Sequence, residues 1–389
     1  MESDHRWDGC VMWTSALSGI VERSACIRTH PSDSAARPLH ITSHTTAQAL
    51  VSEGSIVELS LPQPVGCGFI HLTMLVVHVK DLIRTFQPVL FSFRFVGLAV
   101  LAFYCNGFCA TISGVELQKR FEVIAKAANG KVGVAVELLE TKESIVLNGQ
   151  ERFPMQSVYK LPIGMAVLQR VDEGTLKLEQ LIQVTPNDFV ANMQHSPIRD
   201  AHPLGAELSV SNLLRQMVSE SDGTACDVLL RLLGGPACVG GSLRKLGLTN
   251  VVVATTEKEM GQDELVEYRN WAAPEGLTRL LRMLHEGPGL SVPSRELLLR
   301  FLTETSTGPR RIKALLPVGT PVAHKTGSSR TVNNLARATN DAGIVTLPDG
   351  RHVAIAVFVS DSAADEATRD AVIAKISRAA WDYWLEKAR

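Results

Sequence analysis

Ser157 and Lys160 stand three residues apart in the stretch FPMQSVYKL, residues 153–161. Side chains at i and i+3 share a helix face. A hydroxyl at a helix start also meets the positive end of the macrodipole and N–H groups without intrahelical partners. That is a place for a nucleophile with an amine beside it. Alone the pattern is weak, because S-x-x-K arises by chance on the order of once in a chain this long, and Ser242 with Lys245 repeats it. Two more polar clusters follow. Ser219-Glu220-Ser221-Asp222-Gly223 opens the apolar run 224–233, where its plain structural role is an N-cap. His324-Lys325-Thr326-Gly327-Ser328-Ser329 lies at the end of a predicted edge strand, where Thr-Gly is by itself only a bend or a close backbone approach.

The elements that must hold these clusters can be read from the pattern. Ser113 with Glu116 is a capping-box signature, and Leu117, Phe121, Ile124 and Ala128 recur at helical spacing up to Asn129-Gly130. Residues 131–138 have the β-branched content of a strand, and after a polar turn 144–147 reads as its hairpin partner. From 157 to about 305 helical segments divided by Pro and Gly dominate, as in 211–233 and 274–285, with one short strand at 251–253. Strands resume at 321–324 and 342–347, and VAIAVFVS within 352–359 has the look of a central strand. A helix from about Ala364 closes the chain, burying Val372, Ile376, Ala379 or Ala380, and Tyr383 or Trp384. The pattern predicts an α+β fold. One antiparallel sheet is built from both ends of the chain and flanked by terminal helices, an all-α subdomain is inserted at about 157–305, and the active site lies between sheet and insert.

Composition narrows the function. With 45% hydrophobic and 20% charged residues over 389 positions the chain can bury a large core. The 39 basic and 40 acidic side chains leave no excess of the kind nucleic-acid binding calls for. Five of the seven cysteines precede residue 110, and Cys226 and Cys238 form no C-x-x-C pair, so the expectation is two small buried thiols and neither a zinc site nor a disulfide framework. HExxH and the GxxxxGK[ST] loop are both absent from the sequence, and His40 with His44 has no Glu between. Residues 1–73 have no sustained period and take no assigned fold. From Met74 the pattern changes: Lys80, Arg84 and Arg94 precede the apolar run 95–105, resembling a secretory signal peptide over 74–110, too short for a transmembrane helix. The expectation is that translation starts at or near Met74, that 1–73 is an untranslated or disordered extension, and that a catalytic domain spanning 111–389 is exported to the periplasm. The cleavage point is left open, since Phe108-Cys109-Ala110 lacks the small residue wanted before the cut.

In this order S-x-x-K, S-D-x and K-T-G are the motif set of class A β-lactamases and penicillin-binding proteins. From about Val115 the chain resembles a class A β-lactamase in length and element order, down to the tail ATNDAGIVTLPDGRHVAIAVFVSDS. The segment Thr255-Thr256-Glu257-Lys258-Glu259-Met260-Gly261, continuing to Tyr268-Arg269-Asn270-Trp271, resembles that family's omega loop. The resemblance implies Ser157 as nucleophile, Lys160 or Glu257 as its base, and Glu257 as the base for the deacylating water, with Glu259 the local rival. It makes Ser221 the proton relay to the leaving nitrogen. Lys325, Thr326, Gly327 and Ser328 become the substrate-binding strand, with the Ser157 and Ser328 N–H groups as oxyanion hole. By spacing Arg311 is the guanidinium that assists, with Arg310 as rival, and His195 is either an aromatic wall or an exposed loop histidine. Lys325 is expected to push the Lys160 pKa down. Gly223 and Gly261 stand where many members have Asn, and Gln156 is not the Cys that forms a disulfide in some members. The implied substrates are small-molecule β-lactams, with no cofactor, no metal, no nucleic acid, no stable membrane span and a monomeric state. The alternative within the same motif set is a D-Ala-D-Ala carboxypeptidase or transpeptidase.

Overall fold

The computed structural model describes residues 113–387 and, ahead of them, the three antiparallel strands Cys26–Arg28, Val57–Ser60 and Leu72–Met74. The chain divides into two compact units, residues 1–108 and 109–389. Apart from Met74, the signal-peptide-like stretch 74–110 lies outside the described residues, as does its cleavage point.

In the second unit helix α1 (Gly114–Ala125) starts at Ser113, whose hydroxyl caps the Glu116 N–H, and ends through a 3-10 turn at the left-handed Asn129. Strands β1 (Lys131–Leu138) and β2 (Glu143–Leu147) form a hairpin. The helical part follows, with α2 (Lys160–Asp172), α3 (Val210–Ser219), α4 (Gly223–Leu233), α5 (Pro274–Glu286) and α6 (Val292–Thr303) as its longer helices around the site. The chain then returns as β3 (Val322–Ser328), β4 (Thr339–Thr346) and β5 (His352–Ser360) and closes with α7 (Glu366–Lys387). The sheet order is β3-β4-β5-β1-β2, antiparallel throughout, so the two ends of the unit meet where β5 pairs with β1.

The period of two along β5 explains how the layers form. Val353, Ile355, Val357 and Val359 face a core with Leu117, Phe121, Ile373, Ile376 and Trp384 from the terminal helices. Ala354, Ala356 and Phe358 face the other core, with Leu161, Leu277 and Leu281 of the helical part. Small alanines on that face let α5 pack close to the sheet.

Two features depart from expectation. The helical part also holds a hairpin, Leu181–Val184 with Ala206–Ser209, and a small sheet of Phe153–Pro154, Trp271–Ala272 and Val251–Val252. These strands are two to four residues long, and at that length pairing is set by tertiary packing, not by local propensity. Strand β3 does not stop at His324; it runs through Lys-Thr-Gly to Ser328, so the motif lies inside the edge strand. Cys226 and Cys238 are free; the first is buried and the second only half-buried. Among the described residues no single helix is long and apolar enough to cross a membrane.

Candidate active site

Ser157 lies in the 3-10 turn Gln156–Tyr159, which runs directly into α2 at Lys160. Gln156 holds a left-handed backbone at φ +46°, a conformation that costs about 1–3 kcal/mol in a non-glycine residue. Its neighbours hold it there. Asn340 of β4 donates its amide to Pro154 O and Met155 O at 2.8 and 3.1 Å, and the Met155 N–H donates to Asn270 O at 2.8 Å. Strand β3 closes over the same turn. A Cβ at Gly327 would sit 2.4 Å from Met155 O and 3.1 Å from the Ser157 nitrogen, so only glycine lets the edge strand come this near the nucleophile.

The Lys160 ammonium, 1% exposed, joins three groups. It donates to Ser157 Oγ at 3.0 Å and to Ser221 O at 2.7 Å, and pairs with Glu257 Oε1 at 2.8 Å. Ser221 Oγ lies 3.5 Å from it and accepts from Lys325 Nζ at 3.0 Å. Ser221 is also left-handed, at φ +63°, which turns its carbonyl and its hydroxyl toward the two lysines. The electrostatics correct the sequence-based expectation. Burial alone would lower the Lys160 pKa, but the Glu257 charge and its other acidic neighbours outweigh burial and raise it. Lys325 gives way instead: burial, and next the Lys160 charge, bring it down to about 7. An opposite charge at 2.8 Å dominates over a like charge farther off.

Glu257 is set by the loop 254–271. It opens the short helix Glu257–Met260, capped by a reciprocal Thr256–Glu259 box. Glu259, the rival base, accepts from Thr255 Oγ1 at 2.6 Å and Thr256 N at 2.8 Å, so it serves the cap. Asn270 accepts the Ala254 and Thr255 N–H groups and returns its amide to Thr255 O, tying this loop to the strand before Ser157. Two holding residues were missed from sequence. Asp227 on α4 accepts the Glu257 and Lys258 N–H groups at 2.8 and 3.0 Å; burial first and the Glu257 charge second raise its pKa to about 6. A carboxylate inside the apolar run TACDVLLRLL was the available signal. Gln194 donates to Glu257 O, and a Cβ at Gly261 would fall 2.5 Å from its Oε1. The glycine thus makes room for a glutamine from another loop.

On the substrate side Thr326 Oγ1 meets Thr307 Oγ1 at 2.6 Å, and Arg311 Nη2 donates to Ser328 Oγ at 2.7 Å. Arg311 is buried and fixed by Asp370 and by the carbonyls of Gly327 and Asn340. Arg310 turns away to Glu366 and Asp370 on α7. Asp222 caps α4 and takes the Ile198 N–H and the Ser196 hydroxyl, which anchors the turn holding Ser221. His195 is exposed, with its ring at 2.9 Å from Glu220 O and its carbonyl accepting the Gly223 N–H, so it flanks this turn. Of the alternative pair, Lys245 is exposed at the end of its own helix.

The site therefore holds one hydroxyl and one relay hydroxyl between two buried amines, with a carboxylate on one amine and a row of donors along an edge strand. That is equipment for acyl transfer. The sequence profile described as "Beta-lactamase enzyme family" matches residues 116–384. The extended-spectrum β-lactamase PER-1 of Pseudomonas aeruginosa is 41% identical over 273 residues, 70% of this chain and 88% of that protein. The β-lactamase VEB-1 of the same organism is 38% identical over 274 residues, 70% of this chain and 91% of that protein. The crystal structure of a β-lactamase from Chitinophaga pinensis DSM 2588 superposes with a TM-score of 0.67 at 45% identity, covering 68% of this chain and 98% of that one. With the α+β architecture and these motifs on it, the chain belongs to the β-lactamase enzyme family as a class A serine β-lactamase.

Proposed function

We propose that the enzyme opens the β-lactam amide of penicillins and cephalosporins by acylating Ser157 and then frees the ester with water activated by Glu257. One observation carries this reading: the Lys160 amine stands 3.0 Å from Ser157 Oγ and 2.8 Å from Glu257 Oε1, bridging nucleophile and carboxylate. A proton passed from Lys160 to Glu257 leaves a neutral amine that takes the Ser157 proton as Oγ attacks the lactam carbonyl. The developing oxyanion is received by the Ser157 and Ser328 N–H groups; loss of one such donor typically costs about 2.7–4 kcal/mol in the barrier. The proton then moves from Lys160 to Ser221 Oγ, 3.5 Å away, and on to the departing nitrogen, breaking the C–N bond. Lys325, Thr326 and Ser328 hold the substrate carboxylate, with Arg311 positioning the Ser328 hydroxyl. In the second half Glu257, its proton returned to Lys160, takes a proton from water as the hydroxide attacks the ester carbonyl. The acyl C–O bond then breaks, Ser157 Oγ regains its proton from Lys160, and Glu257 passes the water's proton to Lys160. The segment 254–271 acts as the omega loop.

The carboxypeptidase alternative shares the three motifs, but Asp227, Gln194 and Asn270 hold the backbone of the loop that sets the Glu257 carboxylate on Lys160, which the β-lactamase reading uses directly, and the curated relatives are β-lactamases. Likeness to PER-1 supports an extended spectrum for this chain as well, which a substrate panel checks. The balance of 39 basic and 40 acidic residues supports a partner list of small molecules, without nucleic acid, for an exported monomer. N-terminal sequencing of the exported protein tests the signal segment, and a mature start upstream of Met74 would overturn it.

The decisive experiment is Glu257→Gln mixed with a chromogenic cephalosporin. Intact-mass spectrometry is expected to find the acyl-enzyme accumulated, with steady-state turnover down by about 10²–10⁴-fold. Unchanged turnover would sink the assignment.

A further inference from the structure

At the far end of the sheet from the nucleophile three ligand-type side chains converge from three elements. Glu140 lies in the turn between β1 and β2, His285 in the last turn of α5, and His352 at the first position of β5. In the β4–β5 register His352 pairs with Thr346, four to six residues along from Ala342, Asp341 and Asn340, which pair with Lys325, Thr326 and Gly327. At about 3.3 Å per residue that separation is about 13–20 Å along the strand, so the cluster is no part of the catalytic site.

We propose that Glu140, His285 and His352 form a binding site for a divalent transition-metal ion, with Zn²⁺ the fitting member. One atom from each residue lies within 4.8 Å of the other two. Tetrahedral zinc with bonds of about 2.0–2.2 Å needs its ligands about 3.3 Å apart, a closure that small side-chain rotations supply. The carboxylate is already positioned: Glu140 accepts from the His352 backbone N–H at 3.0 and 3.1 Å and contacts His352 Nδ1 at 2.9 Å. The imidazoles lie side by side, ring centroids 4.3 Å apart and tilted by 44°, and the His285 ring hydrogen-bonds to no described residue. Two imidazoles at that distance gain nothing from each other once either is charged, whereas a cation between them uses both. The negative end of the α5 dipole, where His285 sits, favours a cation. A surface His–Glu pair would account for Glu140 and His352 alone; it does not account for the third group aimed at them. Two His and one carboxylate leave a coordination position to solvent, and the ion would fasten α5 of the helical part to the β1–β2 turn and to β5.

The probe is Zn²⁺ alone, titrated calorimetrically into the full chain after chelator treatment, beside the variants His285→Asn/His352→Asn and Glu140→Gln. The chain has 11 histidines, so the readout is the difference between proteins, not the total. The wild type is expected to take up one more equivalent than the histidine double variant and to show a Zn²⁺-dependent rise in Tm that the double variant lacks. Glu140→Gln should bind at least ~10-fold more weakly. Retained β-lactam turnover reports that each variant is folded, and Glu140→Gln, on an exposed turn, carries the comparison alone if the double variant does not fold. Equal stoichiometry and equal Tm shifts across folded proteins would overturn the site.

Discussion

Lys160 and Lys325 are both buried and both touch Ser221, yet their protonation differs. Lys160 sits at the first position of a helix with Glu257 at 2.8 Å, and its pKa is raised. Lys325 lies on the edge strand with a hydroxyl at 3.0 Å and the Thr326 carbonyl at 3.2 Å, and its pKa falls to about 7. Burial is common to the two. What separates them is a carboxylate in contact with one and only neutral oxygens around the other, so the partner decides which lysine keeps its charge. In the proposed mechanism the pair thereby divides the labour: one amine exchanges protons with Glu257, while the other meets an anionic substrate as a cation that burial has left poorly stabilised until the substrate arrives.

The largest effect that would break this division is removal of its charged member. Lys160→Met is expected to slow acylation by about 10²–10⁴-fold in a stopped-flow burst assay and, by deleting the neighbouring charge, to raise the Lys325 pKa. A variant that acylates at the native rate would mean that the base lies elsewhere. Next in size is the pH response. Above about pH 7 free Lys325 loses its proton, so KM for carboxylate-bearing substrates should climb by up to about tenfold per pH unit. Over the same range its contribution to stability has the opposite sign. Unfolded Lys325 keeps its proton to its ordinary value of 10.5 while the folded one releases it near 7, so the unfolded state binds more protons in between and stability rises with pH. A KM flat from pH 6 to 9 would show Lys325 to be held charged. The smallest is Asp227→Asn. Its amide offers one acceptor oxygen to two backbone N–H groups, so one becomes an orphan, typically at about 1–3 kcal/mol. Deacylation should slow by about tenfold with acylation little changed, measured by single turnover.

The sequence showed the residues whose chemistry is compressed into short motifs. Ser157, Lys160, Ser221, Lys325 and Thr326 could be found because three spaced patterns in fixed order are improbable by chance, and the sheet because alternation in VAIAVFVS needs no partner to be seen. Asp227, Gln194 and Asn340 could not be found this way. Each is a single polar residue whose meaning lies in a backbone group 30, 63 or 186 positions away. Strand β3 was cut short for a related reason. Its lower half is Lys-Thr-Gly-Ser, and Lys325 and Thr326 are buried polar residues, against the apolar pattern by which a strand is read. The direction of the Lys160 shift likewise depended on which charge stood nearest, a question of ångströms that spacing does not answer.

The clasp from Asn340 to Pro154 and Met155 spans 186 and 185 positions of chain. A ribosome adding about 5–20 residues per second needs about 10–40 s to travel that distance. For that interval the nascent chain carries its nucleophile without the strand that shapes the turn around it. A product cut short before β4 has Ser157 and Lys160 but lacks the Asn340 amide that bonds to the turn around them.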